Sequence, residues 1–191
     1  MSSILIIYGS TYGQTERIAR RIGELLLQAG YAVDVHRGDQ LPDHLTLEPY
    51  AGVIVAASVL AGHHQRYIRK FVRYDAARLN QLATAFVSVC GSAGSDPARA
   101  NAYIEALLEE SAWRPTITRS FTGAVAYTKY SWPIRWILKR ISRSKGGPTD
   151  TSRDWDFTEW PEVDAFARML AALFAAPIRR PDQLASPARA G

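Results

Sequence analysis

Three hydroxyl side chains lie close together directly after the first apolar run of the chain. The stretch Tyr8–Ala19 reads YGSTYGQTERIA and carries Ser10, Thr11 and Thr15, with no carboxylate before Glu16. Hydroxyls and free backbone N–H groups at the start of a helix can donate to phosphate oxygens, and the helix dipole favours an anion there. The alternative is an ordinary turn between a strand and a helix, with Thr15 as the helix cap. A P-loop and a dinucleotide-binding turn are not favoured, because the Gly-Lys-Ser/Thr ending and the G-x-G-x-x-G spacing are both missing.

Two further loops of small residues follow the third and fourth predicted strands. The first reads ASVLAGHHQR. If the ligand at the first loop carries a ring system, the small residues here would let backbone amides approach that ring, and His63 or His64 could hydrogen-bond to it. The alternative for either histidine is a surface position at a helix start; His63 is the candidate catalytic residue. The second loop reads SVCGSAGS, and Cys90 is predicted to be a small apolar residue, because no base that would activate it is identifiable.

The segment 127–160 combines tryptophan with basic charge. No acidic residue lies between Lys129 and Lys145. An apolar stripe at helical spacing predicts a short helix over Pro133–Ser144, and this stripe consists of Ile134, Ile137, Leu138 and Ile141. The candidate substrate or membrane contacts are Trp132, Arg135, Trp136, Lys139, Arg140 and Arg143. Such a helix is typical of a membrane interface, while the alternatives are a helix packed on its own sheet and a site for single-stranded nucleic acid.

The elements that would position these residues alternate between strands and helices. Apolar and alternating runs predict strands over 4–8, 31–36, 51–58, 83–91 and 116–127. Helical periods predict helices over 66–74, 98–111 and 159–174, and a first helix that starts at Thr15 and is stopped by Gly30. This alternation predicts an α/β fold with a parallel sheet and a ligand at the carboxyl ends of its strands. We expect one domain over residues 1–176, with an insert over about 128–156, and a disordered tail over 177–191.

Composition limits the class of protein. The chain has 191 residues, 47% of them hydrophobic, and a formal charge of +5, which favours anionic partners. Its single cysteine excludes an internal disulfide and a Cys-based zinc site, so a reducing compartment is expected and no metal site is predicted. The start has no basic n-region, and no apolar run approaches the roughly 20 residues of a spanning helix. We therefore expect a soluble or peripheral protein.

The loop STYGQT, Ser10–Thr15, resembles the phosphate-binding signature of flavodoxins, Ser/Thr-x-Thr-Gly-x-Thr. Tyr12 departs from it, since many flavodoxins carry a small hydroxyl residue there. The resemblance implies FMN, its phosphate held without a positively charged side chain, in a flavodoxin-like doubly wound sheet of five parallel strands in the order 2-1-3-4-5. The implied cofactor contacts are Ser10, Thr11, Tyr12, Gly13, Gln14, Thr15, Ser58, Val59, Leu60, Ala61, Gly62, Val89, Cys90, Gly91, Ser92 and Gly94.

Over residues 4–174 the order of features resembles the flavodoxin-like, menaquinone-dependent protoporphyrinogen oxidases of bacteria. The matching pieces are Gly123, Ala124, Tyr127, Tyr130, Trp132, GGPTDT at 146–151 and FTEW at 157–160. The resemblance implies oxidation of protoporphyrinogen IX to protoporphyrin IX in haem biosynthesis, with FMN as cofactor and a membrane quinone as electron acceptor. It also implies a cytoplasmic location at the inner face of the cell membrane, in contact with anionic lipid. One departure is VLA before the Gly-His pair, where the family has Arg-Tyr.

Two other functions of a flavin-binding chain stay open. The first is a flavodoxin-type electron carrier, against which the basic charge argues, because flavodoxins are usually acidic. The second is a flavin-dependent quinone reductase that takes electrons from NAD(P)H, although no nicotinamide-binding motif is visible. Nucleic-acid binding is the least favoured function, and the sequence gives no prediction of the oligomeric state.

Overall fold

Short apolar runs form the strands and amphipathic runs form the helices, in the alternating order that the sequence predicts. This computed structural model describes residues 2–144 and 149–175. The strands are β1 (Ser3–Gly9), β2 (Ala32–Arg37), β3 (Tyr50–Leu60), β4 (His63–His64), β5 (Ala83–Cys90), β6 (Ile117–Thr122), β7 (Ala124–Val125) and β8 (Trp155–Asp156). The helices are α1 (Gln14–Gln28), α2 (Arg66–Tyr74), α3 (Ala76–Leu79), α4 (Pro97–Ser111), α5 (Trp132–Ser144) and α6 (Trp160–Ala175), and a 3₁₀ turn spans Tyr127–Lys129.

The five long strands form a parallel sheet in the order β2-β1-β3-β5-β6. Counted among these five strands alone, this is the predicted order 2-1-3-4-5, and the prediction is confirmed. The strand order reverses beside β1, because β2 lies on one side of it and β3 on the other. In such sheets the ligand lies outside the carboxyl ends of the strands at this reversal.

Alternating side chains of the central strands build a core on each face of the sheet. Ile4 and Ile6 of β1 are fully buried on the face that α1 and α6 cover. Leu5 and Ile7 are fully buried on the opposite face, in the core to which α2 and α4 contribute. With both faces covered, the strands read as continuous apolar runs, as buried parallel strands do.

The predicted fifth strand, 116–127, is wrong beyond Thr122. Ala124 and Val125 leave the sheet and pair instead with Asp156 and Trp155 in a separate antiparallel ribbon, β7–β8. Where the chain leaves the sheet, the Thr122 carbonyl accepts a hydrogen bond from the Thr158 hydroxyl at 2.9 Å. Thr158 thereby joins the start of α6 to the end of β6.

The predicted insert follows β7 along the chain and precedes the last helix. Its helix α5 starts one residue before the predicted position. Residues 146–148 of the GGPTDT motif and the predicted tail 177–191 lie outside the described residues. Among the helices that the structure describes, none combines the length and the apolar character that crossing a membrane requires.

Candidate functional site

A cavity of about 340 Å³ lies at the carboxyl ends of β1, β3 and β5. Most of the residues predicted to contact the cofactor line this cavity. They are Ser10, Thr11, Tyr12, Gln14, Thr15, Ser58, Val59, Leu60, Ala61, Val89, Cys90 and Gly91. Gly13, Gly62, Ser92 and Gly94 lie in the same loops but do not line the cavity. The structure thus brings the three predicted loops together around one space, and their contact with a cofactor stays a prediction.

The hydroxyl-lined loop, Ser10–Thr15, turns sharply into the first helix. Gly13 has a φ of 99°, in the left-handed region that glycine adopts at little cost, and its N–H donates to Ser10 Oγ at 2.9 Å. Thr15 is 1% exposed, and its Oγ1 has no hydrogen-bond partner among the described residues. The alternative of Thr15 as a helix cap is wrong, because Gly13 holds the cap position and no side chain caps the helix. A buried hydroxyl without a partner is costly, so this one is available to a ligand.

The loop after β3 is a tight hairpin, Val59–His64, called here the ring hairpin. Leu60 pairs with His63, and the two residues between them, Ala61 and Gly62, have φ values of 51° and 86°. Two successive positive φ values are what the tightest hairpin turns require. The turn leaves Leu60 exposed at the cavity, where its apolar side chain can contact the face or edge of a ring.

Gln65, which the sequence does not single out, connects two of these loops. Its Nε2 donates to Thr11 Oγ1 at 3.2 Å and also to Ser58 Oγ. The side chain passes close to Gly9, where an added Cβ would lie 2.8 Å from Gln65 Oε1. Gln65 therefore fixes the hydroxyl-lined loop relative to the ring hairpin.

The two adjacent histidines have different surroundings, and neither lines the cavity. His63, the candidate catalytic residue, is exposed. His64 is 4% exposed, and its Nε2 lies 3.0 Å from Ser88 Oγ on β5. Burial lowers the pKa of His64 to about 4, and the charges of Arg69 and His63 act in the same direction. His64 is thus neutral at pH 7 and anchors β4 to the sheet.

Cys90 ends β5 at the wall of the cavity. It is buried, and burial raises the pKa of its thiol above the ordinary value, although backbone hydrogen bonds from Ser92 and Ala93 oppose this. The thiol form therefore predominates at neutral pH, which agrees with its interpretation as a small apolar residue.

The cavity is closed by residues that the sequence did not predict as contacts. Gly123, Ala124 and Val125 precede the insert, and Tyr130 and Ile134 belong to it. The rings of Tyr12 and Tyr130 meet edge to face, with centroids 4.5 Å apart, and Lys129 Nζ donates to the Tyr12 carbonyl at 2.8 Å. Tyr12 departs from the flavodoxin signature, and it is also the residue through which the hydroxyl-lined loop contacts the insert. This departure is the sequence signal that could have indicated the contact.

The far end of the insert returns to the same loop. Gln14 Nε2 donates to Asp156 Oδ1 at 2.8 Å and to Thr158 Oγ1 at 2.7 Å, and Arg17 pairs with Asp156 at 3.0 Å. Burial raises the pKa of Asp156, but hydrogen bonds from Thr158 and Gln14 and the charge of Arg17 outweigh it and hold the pKa below the ordinary value. Both ends of the insert are therefore attached to the start of α1.

Comparison with known proteins decides the family. A family model described as a flavodoxin domain matches residues 5–152. The chain is 34% identical over 172 residues to the protoporphyrinogen IX dehydrogenase (quinone) of Escherichia coli strain K12, a match that covers 88% of this chain and 94% of that protein. The chain belongs to the family of protoporphyrinogen IX dehydrogenases. This confirms the resemblance and makes the chain an oxidoreductase.

Two further comparisons agree with membership of the protoporphyrinogen IX dehydrogenase family. The member from Leishmania major is 29% identical over 184 residues, which cover 93% of this chain and 78% of that protein. A flavodoxin structure from Pseudomonas aeruginosa superposes with a TM-score of 0.53 at 15% identity, covering 91% of this chain and 99% of that chain. This superposition supports the flavodoxin-like fold.

In this member of the family, helix α5 leaves large apolar side chains exposed. Trp132 is 78% exposed, and Trp136 and Ile137 are more than half exposed. Of the predicted contacts, Lys139, Arg140 and Arg143 are also exposed, and the Arg140 guanidinium lies 5.1 Å from the centre of the Trp136 ring.

Arg135 is instead turned towards the site, where its Nη2 donates to the Tyr130 carbonyl at 3.3 Å. The side chains of Leu138 and Ile141, which belong to the predicted stripe, lie outside the described set. The other two residues of the stripe, Ile134 and Ile137, are exposed, which does not fit a helix packed wholly on its own sheet.

Proposed function

We propose that the chain binds FMN in the 340 Å³ cavity and oxidises protoporphyrinogen IX to protoporphyrin IX, with a membrane quinone as electron acceptor. The observation that carries the cofactor assignment is the buried Thr15 hydroxyl, which lacks a partner among the described residues, lies at the N-terminus of a 15-residue helix and lines that cavity. The names of the curated relatives support the substrate and the acceptor.

The residues around the cavity fit FMN in both of its parts. The loop Ser10–Thr15 offers hydroxyls, free N–H groups and a helix N-terminus to a single phosphate. The ring hairpin and Val89–Gly91 offer apolar side chains and backbone amides to the ring system. A dinucleotide is less suited, because the G-x-G-x-x-G turn that receives a pyrophosphate is missing.

The bound flavin would supply two-electron redox chemistry, and the residues of this chain would bind, orient and shield the reactants. Protoporphyrinogen IX gives up six electrons and six protons in three two-electron steps, and three quinones take these up to become three quinols. Leu60, Val125 and Ile134 would give the reacting ring apolar neighbours. His63 is the candidate proton acceptor, because it belongs to the ring hairpin and is exposed, whereas His64 is buried against Ser88.

Helix α5 is the part of the chain that we assign to membrane contact. Its exposed Trp132, Trp136 and Ile137 suit the boundary between headgroups and acyl chains, and Lys139 and its neighbouring arginines suit anionic headgroups. Because Ile134 of the same helix lines the cavity, this contact would bring a quinone dissolved in the membrane close to the flavin ring. The anionic lipid that attracts such helices lines the cytoplasmic leaflet, so we assign the chain to the cytoplasmic face of the cell membrane.

Anaerobic turnover tests the proposed reaction. The FMN-loaded chain is mixed with protoporphyrinogen IX and a menaquinone analogue, and porphyrin fluorescence is recorded together with quinone absorbance. The proposal predicts porphyrin formation well above the rate with free FMN, with three quinols for each porphyrin. A rate equal to that of free FMN would remove the enzymatic assignment. If the loaded chain passes electrons from a flavodoxin reductase but forms no porphyrin, the electron-carrier alternative replaces it.

A further inference from the structure

The hydroxyl-lined loop holds no cation of its own, although the FMN phosphate that the proposed function assigns to it carries a charge of about −1.5 to −2 at pH 7. The N-terminus of α1 offsets about half a charge. We infer that Lys129, contributed by the insert, is the counter-charge for this phosphate and makes the insert part of the cofactor site. This inference rests on the proposed function and contradicts the flavodoxin-like expectation of a phosphate held without a positively charged side chain.

The position of the Lys129 ammonium supports this role. Its Nζ lies 2.8 Å from the Tyr12 carbonyl oxygen, and 3.4 Å from the point where a Cβ on Gly13 would lie. The side chain comes from 117 residues further along the chain, so no local sequence pattern requires it there. It also borders a second cavity of about 520 Å³, which shares Tyr12 and Gln14 with the first. Lys129 is thus in contact with the backbone that would bind the phosphate.

The insert holds the Lys129 backbone in place from both sides. Tyr127 is completely buried, and Thr128 donates to Asp154 Oδ1 from its N–H at 2.9 Å and from its hydroxyl at 2.7 Å. Tyr130 accepts a hydrogen bond from the Ala126 N–H at 3.2 Å and packs against Tyr12. Lys129 therefore extends from an anchored turn rather than from a free loop.

Lys129 also differs from the neighbouring arginines in its charge partners. Arg17 is paired with Asp156 at 3.0 Å and Arg20 with Glu16 at 2.8 Å. Within the described part of the chain, no carboxylate lies within 4 Å of Lys129 Nζ. The nearby Asp154 senses this ammonium: burial raises its pKa, while the Thr128 hydrogen bonds and the Lys129 charge hold it below the ordinary value. Among the described residues, Lys129 therefore has a carboxylate in its neighbourhood but none at ion-pair distance.

Thr15 provides independent evidence that an anion is expected at the hydroxyl-lined loop, whose Tyr12 carbonyl Lys129 contacts. Its buried Oγ1 has no partner among the described residues, while Ser10 Oγ already accepts the Gly13 N–H. A phosphate at this loop would accept from the Thr15 hydroxyl and from free N–H groups. Lys129 would exchange a neutral carbonyl acceptor for a charged one, and hydrogen bonds to charged groups are about twice as strong as neutral ones.

Parallel titrations with FMN and riboflavin, which lacks the phosphate, test the role of Lys129. Flavin fluorescence gives the Kd of each ligand for the wild-type chain and for Lys129→Gln, Lys129→Arg and Lys70→Gln, an exposed lysine on α2 as matched control. We expect Lys129→Gln to weaken FMN binding about tenfold and to leave riboflavin binding within twofold. Lys129→Arg and Lys70→Gln should stay close to wild type for both ligands.

The outcomes separate this inference from the proposed function. Equal losses of FMN and riboflavin binding in Lys129→Gln would mean a structural role, and no loss of either would mean no role; both results overturn the inference while leaving FMN binding intact. A wild-type chain that binds neither flavin overturns the proposed function and this inference with it. As a check that needs no variant, the wild-type Kd for FMN should rise more steeply with KCl than the Kd for riboflavin.

Discussion

Gln65 donates a hydrogen bond from Nε2 to Oγ1 of Thr11 at 3.2 Å, which ties the residue before α2 to the hydroxyl-lined loop after β1. The same nitrogen donates to Ser58 at the end of β3. Because these two loops would hold opposite ends of FMN, Gln65 sets the distance between the phosphate and ring parts of the site. Preorganisation of this kind reduces the ordering cost of binding.

Replacement of Gln65 tests this connection. We expect Gln65→Ala to weaken FMN binding by up to about thirtyfold, because each net hydrogen bond is worth about 1 kcal/mol and two are lost. Gln81→Ala, at an exposed glutamine in the loop after α3, should leave the Kd unchanged. Fluorescence titration with FMN measures both variants. An unchanged Kd in Gln65→Ala would show that the two loops are positioned without this side chain.

Thr15 and Thr158 both carry buried hydroxyls, but we expect their replacement by valine to have different effects on the free energy of unfolding. Thr15→Val removes a costly buried hydroxyl that has no partner among the described residues, so the ligand-free free energy of unfolding should rise by about 1 kcal/mol while FMN binding weakens several-fold. Thr158→Val removes a hydroxyl that donates to the Thr122 carbonyl and accepts from Gln14. It should lower the free energy of unfolding by about 1 to 3 kcal/mol. Urea unfolding gives the free energy of unfolding, and FMN titration gives the Kd. If Thr15→Val destabilised the chain more than Thr158→Val, this account would be contradicted.

His64 makes stability depend on pH. Its pKa is about 4 in the folded chain against an ordinary value of 6.5, so between these values the folded state binds fewer protons than the unfolded state. The stability that depends on neutral His64 is therefore fully present above pH 6.5 and is lost as the pH falls towards 4, by up to about 3 kcal/mol. His64→Gln should flatten this part of the stability–pH curve, measured by urea unfolding. His44→Gln, at an exposed histidine, is the control, and an equally steep curve for His64→Gln would contradict the assignment.

The tryptophans of α5 test the proposed membrane contact. Trp132→Ala combined with Trp136→Ala should reduce co-sedimentation with phosphatidylglycerol-containing vesicles about tenfold, since both rings are exposed on a helix without acidic residues. Tyr74→Ala removes an aromatic ring that is 84% exposed on α2 and should leave vesicle binding unchanged. Neutral phosphatidylcholine vesicles should bind the wild-type chain more weakly. Equal binding of wild type and double variant would exclude α5 as the contact.

Local sequence patterns were sufficient for the sheet and for the three loops of the cavity. Buried parallel strands read as continuous apolar runs, which is why β1, β3 and β5 were predicted within two residues at each end. Small residues after each of these strands then predicted the loops that the structure brings together. The helix α2 was predicted with its observed bounds, because its apolar period is regular.

The parts that the sequence did not predict depend on contacts between distant residues. Gln65 reaches Thr11 across 54 positions and Lys129 reaches Tyr12 across 117, so neither leaves a periodic signal. The prediction for the end of β6 is also wrong, because β7 pairs with a strand at the far end of the insert. The difference between His63 and His64 follows from the β3–β4 register, which turns one side chain outward and the other towards Ser88.

Titration of the ligand-free chain with FMN, followed by flavin fluorescence and by the unfolding temperature, tests the central claim most directly. The account predicts saturable quenching with one FMN per chain and a rise in the unfolding temperature that grows with FMN concentration. Fluorescence and unfolding temperature that do not change at any FMN concentration would contradict the assignment of this cavity to FMN.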